Sequence, residues 1–241
     1  MPDKNYLDKL EDSEYLISMV PVDEIIRFGY SCGLNDQSHV LDLCCGYGTV
    51  LKIWREAFGI SGVGVDLCEE FILKGGERLT TAGADKIKLV CADVFSYKDD
   101  TPYDVVICSE TFGSIKDTLA LGEQFLKPQG VLAYQKVYAK VPNPPQELVD
   151  FDGEVLPLNE LNAIFNGLGY YMTHMASDAI GDWERYITWS AKRDIKRLRE
   201  NPGDDKLKAW VDKWYRMYFE YRRPYEGQAL FGLEKLHPNS R

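Results

Sequence analysis

The sequence is short of positive charge, of long apolar runs and of paired cysteines, and each deficit removes a class of function. Lys and Arg number 28 against 38 Asp and Glu, a formal net charge of -10. Such a field repels polyanions, so nucleic acid is disfavoured as a partner and a small molecule or a cationic partner fits better. The opening stretch, MPDKNYLDKLEDSEYLISMV, has acids where a secretory leader needs bases, and no apolar run is long enough to span a bilayer. These features predict a cytoplasmic protein without a membrane partner. The 6 cysteines, Cys32, Cys44, Cys45, Cys68, Cys91 and Cys108, lack C-x-x-C spacing and all stand in the first half of the chain. That suits reduced intracellular thiols, with no disulfide framework and no metal centre. Internal repeats and low-complexity tracts are also missing.

What remains is enough apolar material for one sizeable core: 241 residues, 45% hydrophobic and 27% charged. Short β-branched runs at 40–43, 62–66, 87–91, 104–108 and 130–138 alternate with amphipathic stretches such as TVLKIWREAF and KDTLALGEQFLKPQG. Strand, helix, strand repetition implies a parallel sheet covered on both faces. The stretch EEFILKGGERL reads as a helix weakened by Gly75 and Gly76, each costing about 1 kcal/mol relative to Ala.

The most informative segment is VLDLCCGYGTVLKIWREAFGISGVGVD, from Val40 to Asp66. Asp42 lies within the first strand, Gly46 and Gly48 form the turn, and Asp66 closes the second strand. Glycine lets backbone turn sharply and approach a ligand, while a carboxylate at the next strand tip can accept hydrogen bonds from both hydroxyls of a ribose. An adenosine-bearing cofactor follows. The dinucleotide fingerprint G-x-G-x-x-G is incomplete, because Leu51 stands where its third glycine belongs, which counts against an NAD(P)-dependent oxidoreductase.

VLDLCCGYG, GVGVD, VCADV and FLKPQGVL, in this order, resemble the class I S-adenosylmethionine-dependent methyltransferases. GVGVDLCEEFI, DWERYITWSAKR, LRENPGDD and YEGQALFGLEK further resemble a group of bacterial and archaeal small-molecule methyltransferases of unknown substrate. The resemblance implies an α/β fold: a Rossmann-like seven-stranded methyltransferase sheet with a helical insertion before the last strand. It implies S-adenosyl-L-methionine as cofactor. Gly46 and Gly48 would pass beneath its methionine end, with Asp42 serving the ammonium, Asp66 the ribose and Asp93 with Ala92 and Val94 the adenine. Cys44, Leu67 and Ser109 complete the implied cofactor set. Cys44 stands where the family usually has glycine.

The expected organisation is one domain: an N-terminal helical segment (1–34), a cofactor-binding core (35–180), a helical cap (181–226) and a last strand with tail (227–241). YYMTHMASD reads as a late strand and QALFGLEKL as the last one. Between them, Asp182 is placed to cap one helix and Asp204 or Asp205 a second, whose apolar stripe runs through Leu207, Trp210, Val211, Trp214, Met217, Tyr218 and Tyr221. That stripe should be buried. Packing accounts for most of these aromatics, and the sharper alternative is a cap in which Trp183, Tyr186 or Tyr225 meets a small-molecule substrate. A general base is required only if the acceptor arrives protonated. Glu110 is placed for that role, or for anchoring substrate, with His174 and Asp178 as lesser candidates. A noncatalytic adenosylmethionine-binding module stays open as an alternative.

Overall fold

The computed structural model describes residues 15–109 and 113–236. Strands and helices alternate: α1 (Val22–Ser31), β1 (His39–Leu43), α2 (Thr49–Phe58), β2 (Ser61–Asp66), α3 (Glu69–Thr81), β3 (Ile87–Cys91), β4 (Tyr103–Ser109) and α4 (Ile115–Glu123). Next come β5 (Leu126–Ala139), α5 (Gln146–Asp152), α6 (Leu158–Gly167) and β6 (Tyr170–Ser177). Two long helices, α7 (Ile180–Glu200) and α8 (Asp205–Met217), run into a π-helical turn (Tyr218–Arg222) and a short α9 (Arg223–Tyr225) before β7 (Glu226–Lys235). No helix among the described residues is long and apolar enough to cross a membrane.

The sheet has seven strands in the order β3-β2-β1-β4-β5-β7-β6. The first five are mutually parallel, and β7 enters antiparallel between β5 and β6. That order departs from the all-parallel dinucleotide fold, 3-2-1-4-5-6. Side chains alternate between two cores. Leu41, Leu43, Val106, Cys108, Leu132 and Phe231 pack on the side of α6. Val40, Val105, Ile107 and Ala133 pack against α1 and α2, where Trp54 is fully buried and donates its indole N–H to the Ile25 carbonyl at 2.8 Å.

Helix α3 forms despite its two glycines, and one of them has a packing reason. A Cβ on Gly75 would lie 2.5 Å from the Tyr47 carbonyl oxygen, so glycine lets the helix approach the turn after β1. Gly76 meets nothing within 4 Å.

Three local expectations are corrected. The strand expected at 130–138 begins earlier, at Leu126. Asp182 lies in the first turn of α7, whose cap position is Ala179, whereas Asp204 does cap α8 by accepting from the Leu207 N–H at 2.9 Å. The stripe of α8 is only partly buried: Val211, Met217 and Tyr218 are inside, but Trp210 is 51% exposed. Its ring gains cover from its own neighbours, stacking on Trp214 and Phe151.

Candidate active site

Parallel strands end together, and here β1, β2 and β4 end side by side, with Leu43 opposite both Val65 and Cys108. Beyond Leu43 the chain turns through Cys44, which at φ 65° is the single non-glycine residue in the left-handed region among those described. A side chain there costs of order 1–3 kcal/mol, retained only where surroundings impose it. The surroundings are visible: the N–H groups of Cys44 and Cys45 both donate to the Val65 carbonyl, at 2.8 and 3.1 Å. Gly46 and Gly48 follow with φ of 55° and 67°.

This turn fixes Asp66. The Gly46 N–H donates to Asp66 Oδ2 at 2.8 Å and the Cys68 N–H to Oδ1 at 2.9 Å. Each oxygen keeps a further acceptor site for an outside donor. Asp42 is the opposite case. It is 4% exposed, and among the described residues its carboxylate accepts no hydrogen bond. Burial, with the Asp66 charge as a second cause, pushes its carboxyl up to about 8. A buried carboxyl without donors keeps its proton unless a cation is brought to it.

Both acids face one cavity of about 410 Å³. Its floor is Cys44, Cys45 and Gly46, with Thr49 and Val50 at the start of α2, and Leu67 and Phe71 stand beside Asp66. Ile107 and Ser109 of β4, Gln135 of β5 and Gln228 of β7 form the far wall. Tyr186 of α7 and a strap of Tyr15, Leu16, Ile17 and Met19 close the remaining side.

Of the residues expected from sequence, the cavity therefore gathers Asp42, Cys44, Gly46, Asp66, Leu67, Ser109 and Tyr186. Gly48 shapes the turn, its N–H donating to the Cys45 carbonyl at 2.9 Å, without lining the space. The Ala92 N–H holds to the Asp66 carbonyl at 3.0 Å, keeping that segment at the tip of β2. Asp93 organises the following turn, its Oδ1 accepting from the Phe95 N–H at 2.9 Å. Val94 is buried within the core.

Other candidates lie elsewhere. Trp183 is 1% exposed, stacks on Tyr218 and donates its indole N–H to Asp178, so it is a packing residue with no face toward the cavity. Asp178 is occupied by that bond. His174 sits on β6 with its ring edge-on to Phe28 and Nδ1 2.6 Å from the Thr173 carbonyl, outside the cavity lining. Tyr225 is half-buried and also outside it. Glu110 falls outside the described residues.

Sequence reasoning missed the strap, Phe71, Gln135 and Gln228. The glutamines carried little signal, since each strand also holds charged residues, Lys136 beside Gln135 and Glu226 just before Gln228. Burial pushes the thiols of Cys45 and Cys108 above their ordinary range, the direction expected for small buried side chains.

A second, polar cavity of about 320 Å³ lies on the other face of β5. Strand alternation sends Gln135 to the first cavity and Lys136 to the second. Tyr134, Ser114, Asp152, Glu154 and Arg222 also line it, and Arg222 is ion-paired to Asp152 and, at 3.3 Å, to Glu226.

A family described as "Methyltransferase domain" matches residues 40–130. The uncharacterized protein YjhP of Escherichia coli is 26% identical over 213 residues, covering 81% of this chain and 84% of that protein. Among solved structures, a SAM-dependent methyltransferase from Thiobacillus denitrificans in complex with S-adenosyl-L-homocysteine superposes with a TM-score of 0.85 at 24% identity, covering 98% of this chain and 100% of the other. One from Geobacter sulfurreducens, also with S-adenosyl-L-homocysteine, gives 0.84 at 24% identity, with 95% and 98% covered.

Proposed function

We propose that this chain, a class I S-adenosylmethionine-dependent methyltransferase with S-adenosylmethionine as its donor, delivers the methyl group to a small-molecule acceptor by in-line displacement. The observation that carries the reading is the pair of acids in one cavity, one a buried carboxyl that accepts no hydrogen bond among the described residues and the other a carboxylate clamped by backbone N–H groups. An adenosyl amino acid presents what each lacks, an ammonium for Asp42 and ribose hydroxyls for Asp66.

When bound, the donor supplies a methyl group made electrophilic by the sulfonium. The protein's residues then have to bind, orient and exclude water. Asp42 accepts from the α-ammonium and, once paired, stays ionised. Asp66 accepts from the ribose hydroxyls, its geometry set beforehand by Gly46 and Cys68. The Cys44–Gly48 turn would run under the methionine end, with Leu67 and Phe71 as apolar cover beside the ribose, and Ala92 and Asp93, next to the tip of β2, would border the adenine, while the Val94 side chain is committed to the core. With the donor bound, Tyr186 and the strap would shield that side of the cavity from water.

Three features support a small acceptor. The cavity is bordered by strap and helix as well as by the strand ends. The net charge of -10 disfavours polyanions. The second cavity, on the other face of β5, is also of a size and polarity for a small molecule. Glu110, next after Ser109, is the proposed base where the acceptor arrives protonated.

The test is transfer of labelled methyl from S-adenosylmethionine into a cell extract separated by size. Label in a low-mass product supports the proposal, whereas label only in protein or nucleic acid refutes the small acceptor and leaves the donor assignment standing.

A further inference from the structure

The strap over the donor cavity is tied down at both ends. At one end the Tyr15 carbonyl accepts from Thr49 Oγ1 at 3.0 Å, the Tyr15 ring lies edge-on to Tyr47, and the Arg78 guanidinium sits 4.0 Å from its centroid. At the other, Gln228 Oε1 accepts from the Met19 N–H at 2.8 Å and from Ser18 Oγ at 3.2 Å. In between, Ile17 lies against the turn, where a Cβ on Gly46 would come within 2.8 Å of its Cδ1.

One charged side chain bridges this strap to the helices that precede β7. Arg185 of α7 donates from Nη2 to the Ser18 carbonyl at 2.6 Å and from Nη1 to the Leu16 carbonyl at 3.3 Å, with Asp182 Oδ1 3.4 Å from its Nε. Its side chain is 19% exposed, so these bonds are largely shielded from competing water. Tyr186, the next residue along α7, lines the cavity itself. A single helical turn thus contributes one wall residue and the clasp for the roof.

We propose that Arg185 is a positioning residue that holds the strap closed over the bound donor and thereby sets how fast donor and demethylated product exchange. It acts through the Leu16 and Ser18 carbonyls and touches neither reactant. The proposal rests on S-adenosylmethionine occupying the cavity. Strand β7 shares the task through Gln228, which explains why a polar residue is buried in that strand.

The test joins calorimetry and stopped-flow release of S-adenosylhomocysteine to amide hydrogen exchange. Charge-assisted hydrogen bonds are the strong class, so Arg185→Ala should weaken S-adenosylhomocysteine binding by roughly tenfold or more, mostly through faster release. Arg185→Lys, which can still reach one carbonyl, should fall between. In turnover, the KM for the donor should rise while kcat stays within about twofold, the pattern of lost binding without lost chemistry. In the unaltered protein, S-adenosylhomocysteine should slow exchange across residues 15–20, a measurement that survives even if Arg185→Ala misfolds. Unchanged release in a folded Arg185→Ala variant, or exchange across 15–20 that ignores the ligand, overturns the clasp. Failure of the unaltered protein to bind S-adenosylhomocysteine would instead overturn the donor assignment.

Discussion

Asp42 and Asp66 stand on adjacent strands and face the same cavity, but only Asp66 is met by backbone donors, and its charge adds to the burial that holds the Asp42 proton. The proposed ligand, with one cationic end and one hydroxyl-bearing ring, would meet both acids.

The unequal pair has a pH signature. Asp42 titrates at about 8 in the fold against an ordinary 3.8, so the folded state binds the extra proton. This group's ionisation therefore lowers stability progressively as pH rises from about 4 to about 8, and is without further effect above. Asp42→Asn should flatten that slope in melting curves of the ligand-free protein. An ammonium ligand needs the ionised acid, so S-adenosylhomocysteine affinity should rise with pH toward 8, with proton release in calorimetry across buffers of different ionisation enthalpy. Equal heats in all buffers would contradict the assignment.

Asp66→Ala removes an acceptor for two hydroxyls and also strands the Gly46 and Cys68 N–H groups. Hydrogen bonds to a charged group are worth about 1.5–3 kcal/mol, so S-adenosylhomocysteine affinity should fall at least roughly tenfold. Melting temperature should fall too, because the turn loses its anchor. Undiminished affinity in a folded variant would remove Asp66 from the ribose role.

Trp183 and Tyr186, one helical turn apart on α7, should separate cleanly. Trp183→Ala removes a fully buried ring and should cost about 3–5 kcal/mol of stability, measured by denaturant unfolding. Tyr186→Ala should leave stability nearly intact while weakening cofactor binding or acceptor use. Parallel losses in both variants would argue that Tyr186 belongs to the core rather than to the site.

The paired glycines of α3 offer a test of packing against propensity. Alanine at an open helical position gains about 1 kcal/mol over glycine, and Gly76→Ala, with nothing within 4 Å of its new Cβ, should show that gain. Gly75→Ala should be destabilising, because its Cβ would meet the Tyr47 carbonyl at 2.5 Å. If both variants gain stability, the close approach of α3 to the turn is not a constraint.

The first five strands, the glycine turn and the placement of Asp42 and Asp66 were legible in the linear order of residues, because each depends on interactions within a few positions. β-branched runs make strands, glycine permits positive φ, and an acid at a strand tip must emerge at the sheet edge. Cys44 already lay outside this logic, since its left-handed backbone is imposed by the Val65 carbonyl on another strand. The remaining wall was decided only by tertiary structure. Helical periodicity marks Trp183 and Tyr186 as aromatics of one helix but not which one the packing rotates inward. Asp93 spends its carboxylate on the Phe95 N–H two residues on, a local turn, whereas nothing local tells His174 to pack on Phe28. The strap depends on bonds such as Met19 N–H to Gln228, a separation of 209 residues. A polar group buried by a distant segment leaves no periodic trace in its own neighbourhood, so its partner becomes known only when the chain has closed upon itself.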